Sequence, residues 1–364
     1  MGECLPQSPP YRSHSMSTPS PARNRNLDLI RLIAAILVMF SHSYPLAGRA
    51  IEEPFLWTFG HTGGDIALCT FFVISGYLIS ASYIRSRSAL DYAWKRCLRI
   101  FPALFFAVLF SIVLGAFLTP LDFRDYIAHE QTRAYLGNIA LSIQYNLPLV
   151  FAENLFPHAV NGSLWTLPVE VFMYAMVLVM GLAGILSATF SALAAGLCIL
   201  AVFALRNFDL GGPYIVLGAA ELSVALRLAA CFFIGATLYF HKDRIRYHGG
   251  IALIFLAIIF LAKFTPPSLY LYTLLLPYII LYVAQAEIPW LEKITRHGDF
   301  SYGIYIYAFP IQQLVVHWFQ NDISVSRLFM LSFAITLPIA MLSWKLVEEP
   351  ALRRFKPRLR LSSA

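Results

Sequence analysis

Apolar runs of close to one bilayer thickness recur along this chain, separated by short polar breaks. They fall near residues 27–46, 66–84, 100–119, 164–184, 188–205, 222–240, 250–264, 268–286, 301–319 and 327–347. Each approaches the roughly 20 residues that carry a helix across the hydrocarbon core. The pattern predicts an all-α, polytopic integral membrane protein with about ten transmembrane helices. The run at 250–264 is short, and 139–151 reads as a partial or re-entrant helix. Residues 1–25 are rich in Ser, Pro, Arg and Asn and lack a hydrophobic segment, so they are expected to form a disordered cytoplasmic tail, with Met16 as an alternative start. Residues 26–350 then make one transmembrane domain, and 351–364 a basic cytoplasmic tail.

Composition agrees with this class and narrows it. Of 364 residues, 59% are hydrophobic and 13% charged, whereas a soluble domain carries about a quarter charged residues. The net charge of +7 resides in short clusters between apolar runs, which argues against a nucleic-acid partner. Those clusters also set orientation. Arg85, Arg87, Lys95, Arg96, Arg99, Lys242, Arg244, Arg246, Lys293, Arg296 and the basic termini fall on one set of loops. The opposite loops hold little beyond Arg49, Arg124, Arg133 and Arg206, so both termini are expected in the cytoplasm. The cysteines (Cys4, Cys69, Cys97, Cys198, Cys231) form no C-x-x-C pair and suggest neither a disulfide framework nor a zinc site. No metal is implied, because no second His or Cys lies at ligand spacing from His42.

The first run, NLDLIRLIAAILVMFSHSYP, holds ionisable groups that a membrane helix tolerates only at a cost and usually for function. Asp28 and Arg31 share a helix face and can neutralise each other. His42 lies eleven residues beyond Arg31, roughly 16 Å along a helix, which places it in the outer half of the membrane. In Tyr92 to Pro102, Arg96 and Arg99 stand one turn apart beside Lys95. This is a seat for a phosphorylated ligand or, more plainly, a lipid-headgroup anchor. The stretch SLWTLPVE carries Trp165 and Glu170, and Glu170 is expected just inside the outer surface, where it would orient or polarise the imidazole. Tyr302, Tyr305 and Tyr307 either line a cavity or pack. The long loop near 120–163 is aromatic and amide-rich, a composition that suits a sugar ligand or an interfacial belt.

Taken in order, Leu27-Asp28…Arg31…His42, FFVISGYL, the R-x-x-R-x-x-P of Arg96, Arg99 and Pro102, SLWTLPVE, SYGIYIYAFP and the terminal Glu-Pro resemble the acyltransferase family 3 membrane proteins. That family includes bacterial O-acetyltransferases acting on lipopolysaccharide, exopolysaccharide and Nod factors. The resemblance implies a bacterial inner (plasma) membrane enzyme that uses acetyl-CoA or another acyl-CoA as co-substrate, with an extracytoplasmic carbohydrate or glycolipid as acceptor. It further implies that His42 acts as general base or acyl carrier, and that Arg96 and Arg99, with Lys95, hold the acyl-CoA. Asp28, Arg31 and Glu170 are the remaining catalytic candidates, and Trp165 and Tyr305 the candidates for substrate contact. Three positions depart from the family pattern. Cys69 stands where many members have an acid, with Asp65 four residues earlier; Ala308 stands where many have His; and the terminal element reads Glu348-Glu349-Pro350. The rivals are a glycolipid or small-molecule transporter or flippase, and a catalytically dead scaffold that would be indifferent to loss of His42.

Overall fold

The computed structural model describes residues 21–208, 214–285 and 298–354. Helix α1 (Pro21–Leu46) is followed by the short α2 (Pro54–Phe59), then α3 (Gly63–Arg85) and α4 (Ala89–Leu118). Two short helices, α5 (Phe123–Ala128) and α6 (Glu130–Tyr135), open a long connection. It leads to α7 (Thr166–Leu182), α8 (Ala188–Asn207), α9 (Leu222–Phe240), α10 (Gly249–Ala262) and α11 (Ser268–Gln285). Helix α12 (Ser301–Trp318) precedes α13 (Val325–Ser343), which passes through one π-helical turn (Trp344–Glu348) into α14 (Glu349–Arg354). Among the described residues the only strands are Ile215–Val216 and Ala220–Glu221, a two-stranded antiparallel pair before α9.

Helices occupy the expected apolar runs, most with ends within a few residues, but α1 starts six residues and α4 eleven residues before the expected run. Seven of them are long and apolar enough to cross a membrane, and two more apolar helices, Thr166–Leu182 and Gly249–Ala262, are shorter. The protein is therefore a mostly helical, multi-pass membrane protein, with seven candidate spans among the described residues. Helix α1 begins at Pro21, inside the stretch expected to be a tail; residues 1–20 and 355–364 lie outside the described residues. The run at 139–151 is a short 3-10 helix (Leu136–Ala140) followed by turns, not a re-entrant helix. Side chains such as Leu193, Leu197 and Leu200 on α8 and Leu253 and Leu261 on α10 are exposed, as on a lipid-facing surface.

Helices α3 and α9 run parallel and pack backbone against backbone. A Cβ on Gly76 would strike the carbonyl of Phe232, and one on Gly235 the carbonyl of Val73, so only glycine allows this approach. Arg227 pairs with Asp65 at 2.7 Å, and one turn further along Cys69 and Cys231 form a disulfide, with Cα atoms 5.8 Å apart. This corrects the expectation that the cysteines form no bridge. The partners are 162 residues apart and become neighbours only through the close helix contact.

The connection between α6 and α7 folds into the bundle. Asn154 donates to the Gln313 carbonyl and side chain, Gln313 donates to the carbonyls of Phe156 and Ala159, and Asn161 donates to the Ile306 carbonyl. Helix α7 consequently starts beside Tyr305, only one turn into α12, and not at the far surface where Trp318 ends that helix. Its shortness has the same cause.

Candidate active site

Eleven residues are three helical turns to within about 20°, so Arg31 and His42 lie on one face of α1. Buried Ala34, Ala35 and Val38 lie between them. Each marks a different site.

At the Arg31 end, four charged residues converge from α1, α4, the segment before α12 and the π turn. Arg31 Nη1 and Arg99 Nη2 both reach Asp299 Oδ2 at 2.5 Å. Arg99 Nη1 lies 3.7 Å from Glu348 Oε2, and Asp28 is a looser neighbour of Arg31 at 4.0 Å. The expected Asp28–Arg31 neutralisation is thus secondary to Asp299. Asp299 Oδ1 accepts from the Ser301 amide and hydroxyl. Burial alone would raise the Asp299 carboxyl, but Arg31, Arg99 and the Ser301 donors outweigh it and hold it down to about 2. The rings of Tyr302 and Trp344 flank the Arg99 guanidinium at 5.8 and 6.0 Å. The π turn is what brings buried Glu348 against this group, a common use of π-bulges.

The three basic candidates on α4 have separate fates. Lys95 bridges to Asp91 at 2.6 Å. Arg99 is fixed by Asp299 and Glu348. Arg96 has no acidic partner among the described residues; it faces the Tyr174 ring at 6.0 Å, its buried Nε lacks a hydrogen bond, and it lines an apolar cleft of about 150 Å³ with Tyr92 and Ile100.

Directly above the ion cluster is a narrow cavity of about 40 Å³ walled by Arg31, Arg99, Glu170, Phe71, Ser75, Thr166, Tyr302 and Tyr305. Glu170 is here, accepting from Tyr174, and not beside His42 where the sequence suggested. The reason is the deep start of α7, which carries Glu170 one turn toward the Arg31 end.

At the other end, His42, Tyr145, Asn146, His158, Gly162, Trp165 and Phe309 enclose a cavity of about 460 Å³. His42 packs edge-on against Phe309, with ring centroids 5.3 Å apart, and its buried Nδ1 has no hydrogen-bond partner among the described residues. No carboxylate among the described residues lines this cavity. The wall is largely the folded-in connection, whose amides mostly hold backbone. A Cβ on Gly162 would come within 2.6 Å of the Phe309 ring, so glycine is what lets the chain pass there. Trp165 belongs to this cavity and Tyr305 to the narrow one, although Trp165 and Thr166 are adjacent in sequence. Between the cavities, the Tyr305 hydroxyl bonds to the Thr166 hydroxyl at 2.6 Å and donates to the Ser163 carbonyl at 2.9 Å.

Sequence reasoning missed Asp299, the hub of the ion cluster, and the buried glutamines Gln312 and Gln313. Gln312 ties α12 to the Met39 carbonyl and Ser43 hydroxyl of α1 beside His42. An acid two residues before SYGIYIYAFP and an amide pair inside an apolar run were the available signals.

The sequence profile of the acyltransferase domain matches residues 24–345. An O-acetyl transferase of Shigella phage Sf6 is 33% identical over 340 residues, covering 92% of this chain and 98% of that protein. Nodulation protein 10 of Rhizobium leguminosarum bv. viciae is 26% identical over 364 residues, covering 92% and 95%. No solved structure matches. A membrane bundle holding a guanidinium cluster and an imidazole in separate cavities, matched almost end to end by that profile, belongs to acyltransferase family 3 and is an acyltransferase.

Proposed function

We propose that this protein transfers a short acyl group, acetyl in the first instance, from cytoplasmic acyl-CoA to a hydroxyl of a carbohydrate or glycolipid on the far side of a bacterial inner membrane. The observation that carries the reading is the pair of cavities at opposite ends of one face of α1, one holding Arg31 and Arg99, the other His42. The loop basic residues that orient both termini to the cytoplasm also put the Arg31 end there. Acyl-CoA phosphates meet Arg96, whose guanidinium lacks an acidic partner among the described residues; Arg99 and Arg31, held by Asp299, present fixed guanidinium N–H donors to the thioester end. Lys95, tied to Asp91, adds charge at the mouth.

The acceptor hydroxyl sits in the 460 Å³ cavity among Trp165, Tyr145 and Asn146, side chains suited to a sugar face and its hydroxyls. Neutral His42 takes the hydroxyl proton as the oxygen attacks the thioester carbonyl. The C–O bond forms, the C–S bond breaks, and the proton returns to the departing thiolate, leaving an O-acyl ester and free CoA. General-base help of this kind is worth ~10²–10⁴-fold, and positioning by the two cavities supplies the remainder. Glu170, in the narrow cavity, is assigned to positioning the donor thioester and not to His42.

The test is mass spectrometry of surface glycans from cells with and without the protein, alongside His42→Gln. The expected result is an acyl increment present only with the native protein. Retention of that increment in a stable His42→Gln variant would remove His42 from the mechanism.

A further inference from the structure

We infer that Tyr305 is the acyl-size filter of this enzyme: with Thr166 and Ser163 it closes a septum between the two cavities that passes an acetyl group and excludes longer chains. This inference rests on the transfer reaction proposed above. Whether His42 acts as base or carrier, the acyl carbon has to travel from the guanidinium cavity to the imidazole cavity. The two cavities draw on neighbouring residues: Thr166 lines the lower one and Trp165, adjacent in sequence, the upper one. Tyr305 lines the lower one, and Phe309, one helical turn on and on the same face of α12, lines the upper one. The Tyr305 ring is held by two hydrogen bonds at its buried hydroxyl, one donated to the Ser163 carbonyl and one shared with the Thr166 hydroxyl, and by edge-on packing of Phe71 at 5.8 Å. A side chain fixed at both ends is a size standard, because packed interiors yield little to an added methylene.

Volume points the same way. The cavity beneath the septum is about 40 Å³, room for roughly three waters at ~10–15 Å³ each, which suits an acetyl group of three heavy atoms. Above the septum the space is about 460 Å³ and places no comparable limit on the acceptor. Chain-length selection therefore falls at Tyr305 and not at His42. In a fitted apolar pocket one methylene is worth ~10–200-fold in discrimination.

Membrane vesicles carrying the full chain and their endogenous glycans would be supplied with acetyl-CoA or butyryl-CoA, and base-released acyl esters counted by mass spectrometry. The expected result is strong preference for acetyl in the native protein and a butyryl-to-acetyl ratio raised at least tenfold in Tyr305→Ala. Tyr305→Phe keeps the ring and should leave the ratio within about threefold of native. Phe71→Ala, which frees the other side of the ring, should shift the ratio in the same direction and serves if Tyr305→Ala does not accumulate. A native protein that uses both donors equally, or opened variants that transfer acetyl at an unchanged ratio, would overturn the filter while leaving the transfer reaction intact. Transfer from neither donor by native vesicles would overturn the acyl-CoA reading itself.

Discussion

The two ends of α1 solve opposite problems. At the Arg31 end, Arg31, Arg99, Asp299 and Glu348 each lie within reach of an opposite charge, and the group is braced by Ser301, Tyr302 and Trp344. At the His42 end a roomy cavity holds an imidazole whose buried Nδ1 has, among the described residues, no hydrogen-bond partner, and no carboxylate among them lines that cavity. Buried charge persists only when paired, whereas an unsatisfied buried nitrogen costs ~1–3 kcal/mol and calls for an explanation. The first end is built to hold position; the second is left chemically incomplete, as a group that must exchange a proton with a visiting hydroxyl would be.

Four experiments press on that contrast. The largest expected effect is at His42: Gln supplies a polar amide of similar reach but takes no proton near neutral pH, so His42→Gln should lower transfer by ~10²–10⁴-fold while isothermal titration still shows acyl-CoA binding. Next, Asp299→Ala should leave Arg31 and Arg99 without their shared counter-charge and cost ~3–5 kcal/mol of stability, visible as early thermal unfolding in detergent. Equal stability would show that the cluster is not the brace described here. Smaller again, Arg96→Lys should weaken acyl-CoA binding about tenfold by losing the guanidinium fork without shifting the melting temperature. If Arg99→Lys alone does this, the assignment of Arg96 as the phosphate contact fails.

The smallest effect concerns pH. Asp299 is depressed to about 2 from an unfolded value near ~3.9, so its stabilisation is fully present above about pH 4 and lost as pH falls toward 2. Between pH 8 and 5 the titration of this carboxyl should therefore add no slope to the melting temperature, and the loss it causes should appear only below about pH 4.

Much of this was legible in the chain. The apolar runs marked the helices because hydrophobic length is a direct consequence of membrane thickness, and the ionisable residues inside them stood out because such positions are costly. Depth was not legible. Glu170 reads as an outer residue if Thr166 lies at the surface, and only the hydrogen bonds of Asn154, Asn161 and Gln313 reveal that the preceding connection sinks into the bundle. Partner choice was hidden too. Arg99 and Asp299 are 200 residues apart and Cys69 and Cys231 are 162 apart, distances over which a local pattern carries no information.

The parallel α3–α9 pair has a consequence for how the protein is made. Asp65 and Arg227 are separated by 162 residues, which a ribosome adding ~5–20 residues per second takes roughly 10–30 s to synthesise. Throughout that interval α3 is already in the membrane, with Asp65, Cys69 and the close-contact surface at Gly76 waiting for a helix that does not yet exist. A newly made amino-terminal half must therefore be sheltered, by the insertion machinery or by its own α1, until α9 emerges to complete it.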